Sequence, residues 1–334
     1  MNLNIQNTEK KGFIHYVEST QLIRSYKGKI FLSKDELRSE QLLIDLSQDL
    51  KSKIKLLLCL SRRLFRFYIY HVIPFKDQYL IFGLKKIFVV SGNPGKVIKD
   101  FPLSGSRPLI ICADNDSVYY GEYFGNDQRR PVKVFKYSTL TNAIEELLLV
   151  ENIRHIHGMF YDPYTKKIFL TTGDEDHESF IGYIANKNIV KLVTGSQQAR
   201  VVQLLFDEKY IYYATDAPFE TNHIYRYNRV TASIEQLQAI SGTVFYGAIT
   251  KHGIFFSTVV DTNKNLRQDS VELWFSESGD KWKNIKEFKK DIWPKKLFQY
   301  GQLIMSDKQF NSSAIWFTPF ALLKDQQIHK IEFN

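Results

Sequence analysis

Short segments in which apolar and polar residues alternate run through almost the whole chain. Examples are KIFLSK (29–34), YLIFGL (79–84), KIFLTT (167–172), YIYYAT (210–215) and GIFFST (253–258). A period of two residues is typical of strands with one buried face, and convincing helical periodicity is rare. Polar turns such as DPYTK and FDEK separate the segments. The pattern therefore predicts an all-β protein built from many short strands.

These strands fall into groups of four at a nearly constant spacing. Groups begin near residues 107, 155, 201, 243 and 295, and two less regular groups cover 12–47 and 61–101. A repeat of about 40 to 50 residues is the size of one four-stranded propeller blade. We predict a β-propeller with seven blades, with six as the alternative. Missing crossover helices disfavour a TIM barrel, and the regular grouping disfavours a β-sandwich.

The chain is predicted to form one propeller domain over residues 12–334, after a polar N-terminal tail at 1–11. A short helical insertion is expected at 51–66. Neither the N-terminus nor the stretch IKLLLCLSRRLF, which two arginines interrupt, suits a signal core or a membrane span. We expect a cytoplasmic protein without a transmembrane segment. The insertion is expected to pack on its own domain, with Lys53–Arg66 touching a membrane or a partner as the alternative.

The chain is basic, with a formal net charge of +9 and a pI near 9.2. Its lysines are scattered, and no nucleic-acid-binding motif occurs, so nucleic acid is not expected as a partner. No phosphate-cradling glycine loop and no Gly-x-Ser-x-Gly elbow is present. We therefore expect neither a nucleotide cofactor nor a nucleophilic serine triad.

One segment resembles a known turn motif. The stretch ELWFSESGDKW (272–282) is similar to the Asp-box, the Ser-x-Asp-x-Gly-x-x-Trp turn of sialidase-type propellers. Ser276 and Trp282 stand roughly where the motif places them, but the Asp of the motif is absent, and Ser278 precedes Gly279 instead. The Asp-box stabilises a blade turn and is not catalytic, so it bears on the fold alone.

A wider resemblance covers roughly residues 60–334. The runs YYGEYFGNDQRRPVKVFKYS, HIHGMFYDPYTKKIFLTTGDEDHE, YATDAPFETNHIYRYN and KKDIWPKKLFQYGQL resemble sialidase-like propellers with BNR repeats. These are bacterial, glycosyl hydrolase-like proteins, often encoded near surface-polysaccharide genes. The resemblance implies saccharide chemistry. The Phe-Arg-Ile-Pro motif of true sialidases does not occur here, so it does not imply sialidase activity.

The run from His155 to Glu178 gathers titratable groups at the two ends of a β-hairpin. His155 and His157 share one face at the start of a predicted inner strand, because residues two apart share a face. The next strand ends in GDEDHE (173–178) and returns beside them. Three interpretations stay open: acid–base chemistry by His157 with Asp174 as its orienting partner, a divalent metal held by both histidines and a carboxylate, or a structural turn.

Polar residues recur at matching positions of neighbouring blades, which favours a shared ligand site at one mouth of the propeller channel. The candidate catalytic residues are His157, Asp174, Glu122 and Tyr246. The candidate substrate-binding residues are His155, Arg130, Asn126, Gln198, Arg200, Asp216, Asn222 and Gln299. The same pattern includes Tyr123, Thr215, Thr258, Lys290, Asp291 and Trp293.

This residue set suits a saccharide with acidic sugars. Arginines can hold carboxylates bidentately, and aromatic rings stack on sugar faces. Hydrolysis needs two opposed carboxylates, such as Glu122 with Asp174 or Asp216. Elimination needs a base such as His157 or Tyr246 near a cation.

The sequence therefore predicts a propeller that binds and cleaves or modifies a bacterial surface polysaccharide. The alternative is a non-catalytic propeller that binds glycan or protein in polysaccharide assembly, associated peripherally with assembly proteins. A divalent metal is the one cofactor under consideration.

Overall fold

The computed structural model describes residues 3–47, 50–75, 77–260, 269–306, 309 and 311–333. These residues form seven four-stranded antiparallel sheets, which is the seven-bladed β-propeller fold. The predicted fold class is thus confirmed, and seven blades rather than six is the correct number. Two compact units make up the chain: residues up to 103 together with those from 246 onward, and residues 104–245.

In three of the sheets outside residues 104–245, the strand order follows the sequence. These sheets are β2 (Phe13–Glu18), β3 (Gln21–Tyr26), β4 (Lys29–Ser33) and β5 (Gln41–Asp45); β6 (Ile69–Phe75), β7 (Gln78–Gly83), β8 (Lys86–Ser91) and β9 (Lys96–Pro102); and β22 (Val244–Thr250), β23 (Gly253–Thr258), β24 (Ser270–Ser276) and β25 (Lys283–Lys289). Each hairpin connection brings the next strand alongside the last.

The remaining sheet of this unit combines both ends of the chain. Its order is β1 (Leu3–Lys11), β28 (Gln327–Phe333), β27 (Ala314–Phe320) and β26 (Gln302–Met305). Residues 3–11, which the sequence assigned to a tail, are therefore an edge strand, paired from Leu3 with Phe333 to Asn7 with His329. Because an edge strand has one neighbour and keeps its polar side chains in water, LNIQNTEKK lacks the apolar signal of a buried strand.

Residues 104–245 form the three sheets that carry the histidine-rich hairpin. They are β10 (Cys112–Ala113), β11 (Ser117–Gly121), β12 (Val132–Ser138) and β13 (Ala143–Val150); β14 (His155–Asp162), β15 (Lys167–Gly173), β16 (Phe180–Ala185) and β17 (Asn188–Thr194); and β18 (Val201–Phe206), β19 (Tyr210–Thr215), β20 (Asn222–Asn228) and β21 (Ile234–Ile240).

Burial changes across each sheet in a way that the residue types explain. The first strand, β18, reads VVQLLF and is buried at every position, whereas the last strand, β21, is mostly exposed. A strand covered on both faces must be almost continuously apolar, and a strand near solvent alternates or is polar. Between the sheet β14–β17 and the sheet β18–β21, the core includes Phe160, Phe169 and Leu204, all at most 2% exposed. Burying one such side chain contributes roughly 1.5–3 kcal/mol.

Helices are few and short. The helices α1 (Leu50–Leu57) and α2 (Cys59–Phe65) lie where the sequence predicts an insertion, and α3 (Lys295–Phe298) precedes the last sheet. A 3-10 turn, η1 (Gln197–Ala199), precedes β18. No helix among the described residues has the length and apolar character needed to cross a bilayer.

Candidate functional site

The two histidines of β14 stand side by side at a β-bulge. His155 is opposite Gly173 and Ile156 is opposite Thr172, but Gly158 is opposite Thr171, so His157 is the extra residue. A bulge re-aims side chains, and the two imidazole rings lie 5.0 Å apart between centroids. Both are buried, His157 at 2% exposure and His155 at 8%. The expected pairing of the two rings is therefore present.

Asp174 is the centre of the cluster. Its Oδ1 lies 3.5 Å from Nε2 of His155 and 3.4 Å from Nε2 of His157. Asp174 directly follows β15, and the antiparallel pairing of β15 with β14 returns it beside the histidines. The sequence predicted this meeting of His and carboxylate from the hairpin alone.

Two arginines complete the cluster. Arg154 Nη1 lies 2.9 Å from Oδ2 of Asp174, and Arg200 Nη2 lies 3.2 Å from Oδ1. Arg200 also donates from Nη1 to the Asp174 carbonyl at 3.0 Å, and its Nε lies 3.4 Å from Oδ2 of Asp216. We call His155, His157, Asp174, Arg154 and Arg200 the His–Asp–Arg cluster.

The surroundings of Asp174 keep it ionised. Burial by itself would raise the pKa of Asp174, but the contact with His155 and the charge of Arg200 outweigh burial and hold this pKa far below its ordinary value. Asp174 is therefore a permanent carboxylate that accepts hydrogen bonds or binds a cation. It is unsuited to donate a proton in catalysis.

His157 is held in one tautomer. Its Nδ1 lies 3.2 Å from the carbonyl oxygen of Val201, which can only accept, so Nδ1 carries the proton. Burial, the main cause, lowers the pKa of His157 to about 4, and the ring is neutral at pH 7. The Nε2 lone pair of His157 thus faces the Oδ1 lone pairs of Asp174 at 3.4 Å.

This arrangement has the donor set of a cation site. One ligand atom from each of His155, His157 and Asp174 lies within 4.8 Å of the other two. Two imidazoles and one carboxylate suit zinc, manganese or iron, and three protein ligands leave positions for substrate. The carbonyl of Val201, bonded to Nδ1 of His157, orients that ring as outer partners of metal ligands do.

A buried ion pair fixes the loop that carries Asp174. The Glu178 carboxylate accepts the backbone N–H of Asp174 at 2.7 Å and that of Glu175 at 3.0 Å. Arg129 binds the same carboxylate from Nε at 2.8 Å and from Nη2 at 3.2 Å. Gln197, in η1, adds a bond to the Asp174 carbonyl at 3.1 Å. The position of Asp174 is thus built into the fold.

Tyr123 packs against the cluster. Its ring lies 4.6 Å from the His155 ring, centroid to centroid. Tyr123 follows β11 and is half-buried. It brings a phenol beside His155.

Several predicted site residues serve the scaffold instead. Asn126 donates to the carbonyl of Arg130 at 2.8 Å, and Asn222 accepts from Thr215 at 2.8 Å while donating to the carbonyl of Ala217 at 2.9 Å. Both are 1% exposed. The Asn222 amide bonds within its own loop, and the Asn126 amide also donates to the carbonyl of Ile153 at 3.3 Å, so both amides hold the scaffold together.

Glu122 and Gln299 are likewise occupied. Glu122 accepts a hydrogen bond from the hydroxyl of Ser104 and one from the backbone N–H of Lys133 at 3.4 Å. Gln299 donates to the carbonyl of Arg63 at 3.1 Å, outside the unit of residues 104–245. Among the described residues, neither side chain hydrogen-bonds to the His–Asp–Arg cluster, so Glu122 is not a second carboxylate beside Asp174.

The remaining predicted residues divide between the two units. Asp216 joins the cluster through Arg200, whereas Arg130 is exposed beside the Phe124 ring, and Gln198 is half-buried in η1. Tyr246 packs on the core of the other unit. Also in that unit, Lys290 and Asp291 form an ion pair, and Trp293 packs on Phe298.

Part of the recurrence seen in the sequence is a structural repeat. Thr215 and Thr258 each end the second strand of a sheet, and Thr172 is the last residue but one of β15. Their hydroxyls accept the backbone N–H of Phe180, His223 and Glu272, at 3.2, 3.0 and 2.8 Å. The threonines therefore brace the connection to the third strand. Recurrence at matched positions does not by itself indicate a ligand site.

Three members of the site were missed by the sequence reasoning. Arg154 directly precedes His155, Gln197 precedes Gln198, and Arg129 precedes Arg130. For the last two pairs the sequence reasoning considered Gln198 and Arg130, whereas Gln197 and Arg129 make the contacts. His155 was considered correctly, and Arg154 contacts Asp174 beside it. The one available signal was the position of Arg154 immediately before the histidine pair.

The segment that resembles an Asp-box does form a closed turn. The Gly279 N–H donates to Oγ of Ser276 at 2.9 Å, and the indole N–H of Trp282 donates to the carbonyl of Gly279 at 3.3 Å. Neither a family model nor a curated protein matches the sequence. Membership of the sialidase-like, BNR-repeat group therefore stays a prediction.

Solved structures share the fold at low sequence identity. The WD40 β-propeller domain of Doa1 aligns with a TM-score of 0.62 at 11% identity, over 99% of this chain and 96% of that one. A chain of the mitotic checkpoint complex gives 0.61 at 6%, over 99% and 93%. Oligogalacturonate lyase from Vibrio parahaemolyticus gives 0.57 at 8%, over 100% and 98%. These similarities establish a β-propeller and leave the function to the site.

Proposed function

We propose that this protein is a carbohydrate-active propeller that binds a divalent cation and an acidic saccharide at the His–Asp–Arg cluster and cleaves the saccharide by elimination. A uronate-containing bacterial surface polysaccharide, or an oligosaccharide derived from it, is the proposed substrate. His155, His157 and Asp174 are the proposed cation ligands.

One observation carries the proposal: the meeting of a neutral imidazole nitrogen with an ionised carboxylate oxygen. Nε2 of His157 and Oδ1 of Asp174 lie 3.4 Å apart, and His157 has already used its proton on Val201. Two buried acceptors facing each other are unfavourable unless a positive group lies between them. A cation bound by both atoms removes the conflict, and the imidazole of His155 supplies a third ligand.

Arg154 is proposed to hold the carboxylate of the sugar. Its present contact with Asp127, at 2.8 Å, involves an Asp side chain that is 85% exposed. Exposed ion pairs contribute only about 0–1 kcal/mol, so a substrate carboxylate can replace Asp127 at little cost. Arg200 stays bound to Asp174 and Asp216 and keeps the cluster in place.

The proposed reaction breaks one C–H bond and one C–O bond. A cation held by His155, His157 and Asp174 would neutralise the uronate carboxylate and so acidify the adjacent C–H. Tyr123, as phenolate, takes that proton, and the C–H electron pair forms a C=C bond to the β-carbon. The glycosidic C–O bond at the β-carbon breaks and its electrons stay on oxygen. The proton that Tyr123 has taken passes to this oxygen as the second saccharide leaves, which restores the phenolate. No oxidant or water is consumed.

Two-carboxylate hydrolysis fits the cluster less well. That mechanism needs one carboxyl group with a raised pKa to protonate the leaving oxygen. The pKa of Asp174 is instead held far down, and Asp216 contacts the same guanidinium of Arg200. The lyase among the structural neighbours has the same fold only, but it suggests oligogalacturonates as the first uronates to test.

The test is a turnover assay on full-length protein that has been treated with chelator and reloaded with Mn²⁺. Oligogalacturonates and a neutral oligosaccharide of equal length are supplied, and the unsaturated product is followed by ultraviolet absorbance. We expect product from the uronate alone, loss of product in the chelated protein, and losses of about a hundredfold or more in His155→Ala and Tyr123→Phe. His177→Ala is the matched control, because His177 is exposed and three residues from Asp174.

The outcomes separate the alternatives. New reducing ends without an unsaturated product would replace elimination by hydrolysis. Uronate binding without turnover, retained in Tyr123→Phe, would identify a non-catalytic glycan-binding propeller. Failure to bind Mn²⁺, measured by calorimetry, would refute the cation site.

A further inference from the structure

A second surface combines exposed apolar side chains with positive charge. It is formed by the helices α1 and α2 and by residues 290–298, which include α3. We call these residues the basic apolar face. All of them belong to the unit outside residues 104–245, and none contributes to the His–Asp–Arg cluster.

Large apolar side chains on this face lie in water. Leu58 is 64% exposed, Phe65 55% and Ile292 88%. Ile54, Leu64, Trp293 and Leu297 are also exposed. Single exposed apolar residues are ordinary on protein surfaces, but a contiguous group indicates a surface that binds something.

Charge on the same segments has one sign. Residues 50–66 contain Lys51, Lys53, Lys55, Arg62, Arg63 and Arg66 and no acidic residue. Residues 290–298 add Lys290, Lys295 and Lys296, and their one acidic residue, Asp291, is paired with Arg63 and Lys290. The side chains of Arg62, Arg63 and Lys290 are buried. The positive charge at the surface therefore comes from the exposed Lys53, Arg66 and Lys296 and the half-buried Lys55 and Lys295.

The two segments are held together by Arg63, whose side chain is 2% exposed. Its Nε donates to the carbonyl of Phe298 at 2.6 Å, and its Nη1 binds Asp291. Gln299 returns a bond to the carbonyl of Arg63 at 3.1 Å. The apolar side chains of both segments are thus presented from a fixed scaffold, so binding needs little ordering of the backbone.

We propose that the basic apolar face docks on the surface of an anionic lipid bilayer. Apolar side chains such as Leu, Phe and Trp insert at the boundary of headgroups and acyl chains, while Lys and Arg meet the anionic headgroups. Lys55 illustrates the arrangement, with Nζ 5.8 Å from the Phe65 ring centroid and 5.2 Å from that of Phe67. A second copy of this face is a poor occupant, because both surfaces carry positive charge.

The experiment is cosedimentation of the full-length protein with vesicles. One set contains phosphatidylcholine alone, and the other contains phosphatidylcholine and phosphatidylglycerol at a ratio of about 7:3, the anionic content of a charged membrane surface. The apolar variant is Phe65→Ser with Ile292→Ser, and its matched control is Phe219→Ser with Val230→Ser, which removes two apolar side chains exposed elsewhere. The charge variant is Lys53→Glu with Lys296→Glu, matched by Lys187→Glu with Lys281→Glu.

We expect binding to the anionic vesicles and a fall of about tenfold or more in partitioning for each face variant. One variant removes apolar side chains that insert at the headgroup boundary, and the other reverses two charges that attract anionic headgroups. The control variants should bind like the parent, and added salt should weaken binding. Three results would overturn the proposal: no binding to anionic vesicles, equal loss in face and control variants, or a self-association that the face variants abolish.

Discussion

The buried carboxylates at the two ends of the β14–β15 hairpin allow a matched comparison. Glu178 and Asp162 both have fully buried side chains and both pair with an arginine through two nitrogens. Arg129 binds Glu178 at 2.8 and 3.2 Å, and Arg229 binds Asp162 at 2.6 and 3.0 Å. Only Glu178 also binds the backbone of Asp174, so removing the charge of Glu178 should disturb Asp174, whereas removing the charge of Asp162 should not.

The perturbations are Glu178→Gln and Asp162→Asn, which keep the shape and remove the charge. Each replaces an acceptor oxygen by an NH₂ group that faces N–H donors, and each leaves an arginine without its counter-ion. Breaking a buried pair costs about 3–5 kcal/mol when the remaining charge stays buried. Arg129 is 27% exposed and Arg229 12%, so Arg129 regains more water when it loses its partner. We therefore expect the free energy of unfolding to fall by about 2–3 kcal/mol in Glu178→Gln and by about 3–4 kcal/mol in Asp162→Asn.

Urea unfolding gives these free energies, and hydrogen exchange by mass spectrometry reports the local effect. The Asp174 and Glu175 amides donate to Glu178 at 2.7 and 3.0 Å, so Glu178→Gln should speed their exchange by about tenfold or more. Asp162→Asn should leave those amides unchanged. Equal exchange in both variants would refute the view that Glu178 positions Asp174, whatever the protein binds.

Three further changes probe the cluster and its frame. Gly173→Ala should disrupt the cluster, since an added Cβ would lie 2.6 Å from Cε1 of His157. We expect the Mn²⁺ affinity, measured by calorimetry, to fall about tenfold or more. An unchanged affinity would contradict the close packing of Gly173 against His157. Burial lowers the pKa of His157 from 6.5 to about 4, so the unfolded chain takes up the proton first as the pH falls through this window. Stability that is present above pH 6.5 is therefore lost toward pH 4, by about 3 kcal/mol. In His157→Gln, the unfolding free energy measured in urea should depend less steeply on pH, with the contribution of His15 remaining. Thr215→Val should cost about 1–2 kcal/mol in urea unfolding and leave turnover unchanged, because its hydroxyl bonds only within its loop.

The repeat of strands was readable from the sequence because it depends on period and spacing alone. Inner strands such as VVQLLF must be continuously apolar, and turns such as DPYTK must be polar, so the seven groups appear before any contact is known. The edge strand β1 was missed because the prediction depended on apolar period and spacing, which this strand lacks. Its pattern LNIQNTEKK carries little apolar signal, and its partner lies more than 300 residues away along the chain.

The site was predictable to the extent that local hairpin geometry determines it. Pairing of β14 with β15 brings Asp174 to the histidines, and this followed from two adjacent strands. The contacts of Asn126, Asn222 and Glu122 could not be predicted, since an amide or carboxylate in a loop faces either inward or outward without changing the sequence pattern. Arg154 and Arg129 were missed because arginine chains reach several ångströms, so sequence position alone does not locate their guanidinium groups.

The pairing of β1 with β28 has a consequence for synthesis of the protein. On the ribosome, β1 emerges more than 300 residues before its partner, Gln327–Phe333. β1 must therefore wait unpaired while the intervening residues are synthesised, and the sheet that contains it closes only after β28 has emerged. A premature stop that removes β28 leaves β1 without its neighbour and exposes an edge of β27, and so marks the truncated product for aggregation or degradation.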